Sequence, residues 1–175
     1  MGEVTDISIA LGGKPTPPSA ITSAHDFAKF RCGKKPLDDW LRTRALKSEG
    51  RSSRTYVVTE GRKVIGYYCL STGAEKRASV PSKLTRNSPD PIPLILLGRL
   101  AVDENHQGKG IGAAILKDAL QRVVHVSQIV GARAVLVHAI DQNAMAFYVK
   151  YGFIQFPGGS QTLFLPIETI AVGLT

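Results

Sequence analysis

Gln107-Gly108-Lys109-Gly110-Ile111-Gly112-Ala113-Ala114-Ile115-Leu116 follows an apolar run from Ile92 to Val102 and opens a long amphipathic stretch. The run reads as a buried strand and the stretch as a helix. A strand, a glycine loop and a helix in that order aim several free backbone N–H groups at one point. Together with the positive end of the helix dipole, those groups make a site for a pyrophosphate. Glycine suits such a loop because no Cβ keeps the phosphate off the backbone and because positive φ is open to it.

Two common phosphate loops do not fit. A P-loop requires G-x-x-x-x-G-K-[ST]. Here Gly108-Lys109 is followed by Gly110, and no Ser or Thr is placed to hold magnesium. A dinucleotide fingerprint requires G-x-G-x-x-G near the start of a parallel sheet. The spacing Gly108-x-Gly110-x-Gly112 is different, and more than half the chain precedes it.

The bounds set by composition are ordinary except for charge. The chain has 175 residues, 43% hydrophobic and 21% charged, which suits a soluble single domain with a substantial core. No apolar stretch approaches the roughly 20 residues that span a bilayer, and no signal peptide is visible. Cys32 and Cys69 are too far apart for a close metal-type pair and read as free thiols in a reducing cytoplasm. No metal is expected. The net charge of +8 exceeds what one bound ligand requires and favours an anionic partner such as nucleic acid.

Residues 1–23, rich in Gly, Pro, Ser and Thr, read as a loosely ordered lead-in with an edge strand at its start. Residues 24–175 read as one domain. Pro36-Leu37-Asp38-Asp39-Trp40-Leu41 begins a helix with a proline and two acids in its first turn. Strands at 54–59 and 64–70 flank a turn at 60–63, giving a hairpin. Residues 74–91 form a polar connection. The helix from Ile111 carries apolar residues through Val126 and Val130 and ends at Gly131 as a C-cap. A buried strand at 134–140, a short helix at 144–150 closed by Gly152, and final strands at 153–156 and 162–165 complete the chain. The strands at 92–102 and 134–140 should run parallel, joined by a right-handed crossover helix, in an α/β fold.

Gln107-x-x-Gly110-x-Gly112 directly after Arg99-Leu100-Ala101-Val102-Asp103 resembles motif A of the GCN5-related N-acetyltransferases (GNAT), and the resemblance covers roughly residues 25–166. It implies a mixed twisted sheet with a splayed central parallel strand pair and flanking helices. It implies acetyl-CoA as co-substrate, with the diphosphate on Gln107, Gly108, Lys109, Gly110, Ile111, Gly112 and Ala113. It places the pantetheine arm along Leu100, Ala101 and Val102, with Asn143 and Phe147 reaching it from the other side. Phe147-Tyr148-Val149-Lys150-Tyr151-Gly152-Phe153 matches the family's FYxxxGF, which makes Tyr148 the candidate general acid. A phenol with its ordinary pKa near 10 is protonated at neutral pH and can donate to a forming thiolate.

No general base is apparent. The strand Ile92 to Val102 holds no acid, and Glu75 falls on a loop. His106 reads as a solvent-exposed turn residue and His138 as a satisfied core residue. A lysine amine of pKa about 10.4 needs a base, whereas an α-amine starts near 7.7–8.0 and an adjacent ester lowers it further. The missing base therefore points to an aminoacyl ester.

The chain also resembles the TacT-like group of GNAT toxins from type II toxin–antitoxin modules. The matching residues are Cys32-Gly33 with Leu37-Asp38-Asp39-Trp40-Leu41, Gly66-Tyr67-Tyr68 with Leu70-Ser71 and Gly73, Pro81-Ser82-Lys83, Pro89-Asp90-Pro91-Ile92-Pro93, Leu97-Gly98-Arg99-Leu100-Ala101-Val102-Asp103, and Phe147-Tyr148 with Gly152-Phe153. That resemblance implies acetylation of the α-amine of aminoacyl-tRNA, inhibition of translation, and a homodimer silenced by a ribbon-helix-helix antitoxin. It further implies that the toxin–antitoxin pair binds and represses its operator DNA. Lys76, Arg77, Lys83, Arg86 and Arg99 are then the candidate tRNA contacts. Two other readings compete: an acetyltransferase for a small-molecule or protein amine, and a catalytically idle GNAT binding module. The first should line its cleft with acids, which are scarce near these motifs. The intact glycine loop and Tyr148 argue against the second.

Overall fold

The computed structural model describes residues 16–173, so most of the lead-in expected over 1–23, with the edge strand at its start, lies outside the described residues. In chain order the elements are β1 (Ser19–Ala20), α1 (Lys35–Thr43), α2 (Ala45–Ser48), β2 (Arg54–Glu60), β3 (Lys63–Glu75), α3 (Ser82–Thr85), β4 (Ile92–Val102), α4 (Ile111–Ser127), β5 (Ala134–His138), α5 (Gln142–Lys150), β6 (Ile154–Gln155), β7 (Thr162–Pro166) and α6 (Ile167–Gly173). Single 3-10 turns stand at Arg77–Ser79 and Glu104–His106. The strands are hydrogen-bonded in the order β1-β2-β3-β4-β5-β7-β6. β4 and β5 are parallel, registered Ile95 to Val135, Leu96 to Leu136 and Leu97 to Val137. β5 ends at His138, one residue past the last of these pairs, while β4 continues to Val102.

The described residues fall into two compact units, with β3, β4 and α4 running from one into the other. The first holds 16–71 and 99–119. Its core gathers Ile21, Phe30, Leu41, Ala45, Val57, Val64, Tyr67 and Ala101, with Leu37 and Trp40 of α1 packed against it. Leu37, Trp40 and Leu41 thus lie on the face that α1 turns to this core. The hairpin of β2 and β3 turns at Gly61, whose φ of +60° suits glycine. The second unit holds 72–98 and 120–173. Its core is Leu84, Ile92, Leu94, Ala134, Leu136 and Phe164.

Several sequence expectations need correction. The polar connection at 74–91 contains the tail of β3 and the short helix α3, pinned by the fully buried Leu84. Helix α4 ends at Ser127, and Gly131 is not in the left-handed region that a C-cap glycine adopts. The apolar pattern continues past that end, but Ile129 and Val130 are 70% and 61% exposed, so burial gives the helix nothing for continuing. Ser127 Oγ donates to the Val124 carbonyl instead, and the Gln128 and Ile129 N–H groups bond carbonyls three residues back. His138 is the exposed last residue of β5, its Nδ1 2.9 Å from Thr162 Oγ1, and not a core residue. Helix α6 was unread in the sequence; Ile170 anchors it. Among the described residues no helix is long and apolar enough to cross a membrane.

Candidate functional site

The glycine loop belongs to the first unit. Gly108 and Gly110 have φ of +77° and +82°, so both use the conformation that side chains resist. A Cβ added at either meets no atom within 4 Å, which leaves the space beside the loop open to a ligand. The Ala114 N–H makes the first turn's bond, to the Gly110 carbonyl at 3.1 Å. The N–H groups of Gly110, Ile111, Gly112 and Ala113 therefore have no carbonyl of their own helix to reach. Ile111 and Ile115 are buried and hold α4 down, so those donors point from a fixed helix end. A CoA diphosphate fits this cradle by charge, by donor number and by open space.

What holds the loop is a knot of bonds among residues far apart in sequence. The Gln107 side-chain amide donates to the Cys32 carbonyl at 2.8 Å and the Val102 carbonyl at 2.9 Å. Gln107 therefore serves the loop's shape with its side chain, leaving only its backbone for a cofactor. The Glu104 N–H donates to the Arg31 carbonyl, and the Arg31 N–H to the buried Asp103 carboxylate. The Cys32 N–H donates to Asp38 Oδ1 at 2.8 Å. This gives Cys32-Gly33 and Leu37-Asp38-Asp39-Trp40-Leu41 a physical purpose: α1 ties the 31–33 segment to the turn before the glycine loop. Burial and the Asp38 carboxylate push the Cys32 thiol up to about 12, so it is protonated at neutral pH and is no nucleophile.

In the same unit, Arg99 lies 4.4 Å over the Trp40 ring. Trp40 stacks on Tyr67 at 6.0 Å, and Phe30 meets the edge of Tyr67 at 5.5 Å. The Tyr67 hydroxyl donates to the Leu37 carbonyl, and burial raises its pKa. The arginine in an apolar strand is thus carried by a cation–π contact. Among the described residues its guanidinium has no carboxylate partner, so its N–H donors remain available. Sequence reading missed Trp40 as that platform. It also missed a partly buried pair in which the Tyr68 hydroxyl donates to Asp118.

Tyr148 belongs to the second unit, on α5. The Asp141 side chain accepts the Ala144 N–H and caps the helix start. At the other end the Phe153 N–H bonds the Tyr148 carbonyl and the Gly152 N–H bonds the Val149 carbonyl, with Gly152 at φ +94°. This is a Schellman closure, and its usual hydrophobic contact is the Phe153 ring on Tyr148, 5.2 Å between centroids. The sequence Phe147-Tyr148-Val149-Lys150-Tyr151-Gly152-Phe153 therefore encodes a helix stop that fixes the ring of Tyr148. Phe147 meets Tyr148 and Tyr151 edge-on at 5.3 and 5.1 Å. Tyr148 is 7% exposed, and Asn143 is exposed on the first turn of α5.

The sequence-derived site residues thus divide between the units: Arg99, Leu100 to Val102 and Gln107 to Ala113 in the first, Asn143, Phe147 and Tyr148 in the second. Lys76, Arg77, Lys83 and Arg86 are exposed residues of the second unit. Arg77 is partly committed to its own loop: its backbone N–H donates to Asp90 and its guanidinium to the Ser88 carbonyl.

Residues 51–155 match the acetyltransferase (GNAT) domain family. The chain is 44% identical over 137 residues to a tRNA-acetylating toxin of Mycobacterium tuberculosis, covering 78% of this chain and 82% of that protein. It is similar to the structure of AtaT complexed with acetyl-methionyl-tRNAfMet, with TM-score 0.83, 32% identity, and 93% and 100% of the two chains covered. It is also similar to an AtaT variant bound to the C-terminus of the antitoxin AtaR and acetyl-CoA, with TM-score 0.79, 30% identity, and 91% and 97% covered. By its match to the family over 51–155 and its identity to that toxin across most of both chains, this chain belongs to the GNAT acetyltransferases, among the tRNA-acetylating toxins.

Proposed function

We propose that this chain transfers the acetyl group of acetyl-CoA to the α-amine of an aminoacyl-tRNA and thereby stops translation. The observation that carries this reading is the 44% identity to a tRNA-acetylating toxin across most of both chains. Residues 24–175 act as one catalytic domain. The backbone of Gln107 to Ala113 takes the CoA diphosphate, Leu100 to Val102 pair with the pantetheine amides, and Asn143 and Phe147 bound the arm. The neutral amine attacks the thioester carbonyl and the C–S bond breaks; the nitrogen releases its extra proton to water, and Tyr148 gives its phenolic proton to the departing sulfur and is reprotonated from solvent. The amine needs little help, because an α-amine beside an ester is partly neutral at physiological pH. Within the first unit the buried acids support this: Asp38 and Asp103 are already occupied by Cys32 and by Arg31 with Asn105, and the half-buried Asp118 by Tyr68.

Lys76, Arg77, Lys83, Arg86 and Arg99 contact tRNA phosphates, with Arg99 held flat by Trp40 for the purpose. The protein works in the cytoplasm, where charged tRNA is found, as a homodimer. A ribbon-helix-helix antitoxin silences it, and the pair represses by binding operator DNA, as the AtaT–AtaR complex binds DNA. Two outcomes are expected. Added to a cell-free translation system, the protein halts synthesis only when acetyl-CoA is present; continued synthesis contradicts the toxin reading. Replacing Lys76 and Lys83 by alanine lowers the slope of log affinity for tRNA against log salt by about 1–2. An unchanged slope removes them from the interface.

A further inference from the structure

The residue just before Gln107 is not the exposed turn histidine that the sequence implied. The His106 side chain is 12% exposed. Its Nε2 lies 2.6 Å from Glu60 Oε1 and its Nδ1 3.4 Å from Asp103 Oδ1. Glu60 ends β2, and Asp103 is buried at the end of β4, where it also accepts the Arg31 and Asn105 N–H groups. The imidazole therefore bridges the β2–β3 hairpin to the strand that leads into the glycine loop. The next side chain, Gln107, is fastened to Cys32 and Val102. Two successive residues are thus anchored in different directions, and the free glycine positions begin directly after them.

Glycines in a loop carry the largest conformational entropy of any residues. A loop that must aim several N–H groups at one anion loses affinity if ligand binding has to order it first. We infer that His106 is a positioning residue for acetyl-CoA: its bridge from Glu60 to Asp103 fixes the entry of the glycine loop and presets the loop amides for the diphosphate. This rests on the reading of the loop as the diphosphate site.

The test compares two donors: acetyl-CoA, and S-acetyl-pantetheine, which carries the same thioester arm without the diphosphate. Wild type should use acetyl-CoA far more efficiently. His106→Ala should raise the KM for acetyl-CoA by about tenfold, the usual loss for a hydrogen bond to a charged group, with kcat within about twofold. Its kinetics with acetyl-pantetheine should match wild type. Glu60→Gln, which leaves the His106–Asp103 contact in place, should give a smaller rise with the same selectivity, and the double variant should add little beyond His106→Ala. Equal losses on both donors, in either single variant, would overturn the positioning role and leave a general structural one. A wild-type enzyme indifferent to the diphosphate would instead overturn the loop assignment itself.

Discussion

Tyr148→Phe should reduce turnover by about a hundredfold to ten-thousandfold, the range typical of a lost general acid, while acetyl-CoA affinity stays within about twofold. The substitution removes one O–H group and keeps the ring. The ring is what Phe147 and Phe153 pack against, at 5.3 and 5.2 Å, so the local packing survives. The Schellman bonds use backbone atoms and Gly152, which the substitution leaves untouched. Circular dichroism and the melting temperature should therefore change little, and the loss should fall on kcat. Single-turnover kinetics with saturating acetyl-CoA check this. Near-normal turnover would remove Tyr148 from the chemistry and require another donor for the leaving thiolate.

Gly110→Val should weaken acetyl-CoA binding by about a hundredfold or more. A β-branched side chain at φ +82° costs about 1–2 kcal/mol of backbone strain, and relief comes by rotating the loop out of its present conformation. That rotation turns away the N–H groups that face the anion. The free protein has room for the side chain, since nothing lies within 4 Å of the added Cβ, so the defect should show in binding more than in folding. Gly158→Val provides the control. Gly158 has φ +83° with equally open surroundings, in the 157–160 turn between β6 and β7. It should cost comparable stability and leave acetyl-CoA affinity unchanged. Isothermal titration with CoA on the two variants decides the matter, and equal affinities would show that loop conformation does not set binding.

Much of this was legible in the sequence because the signals are local. The strand over 92–102, the glycine loop and the helix start at Ile111 follow from periodicity and glycine spacing, as do the β2–β3 hairpin and the parallel pairing of β4 with β5. The stop at Gly152 follows from a glycine four residues after Tyr148. What was not legible depends on distant partners. The support for Arg99 is Trp40, on a helix 59 positions earlier. His106 reads as a turn residue until Glu60, 46 positions earlier, comes beside it. Apolar periodicity carries the helix through Val126 to Val130, although nothing among the described residues buries Val130, and α4 ends at Ser127. His138 reads as a core residue because its neighbours are apolar, yet it is where the strand ends. Pattern records which residues share a face; it does not record whether another element covers that face.

The most direct measurement is the identity of the acetylated atom. The protein is incubated with labelled acetyl-CoA and a pool of charged and uncharged tRNA, the RNA is digested, and the labelled fragment is identified by mass spectrometry. The expected product is N-acetyl-aminoacyl-adenosine, from charged tRNA only and nearly absent with Tyr148→Phe. Label on uncharged tRNA, on protein lysines or on free amines, with none on the aminoacyl nitrogen, would contradict the assignment.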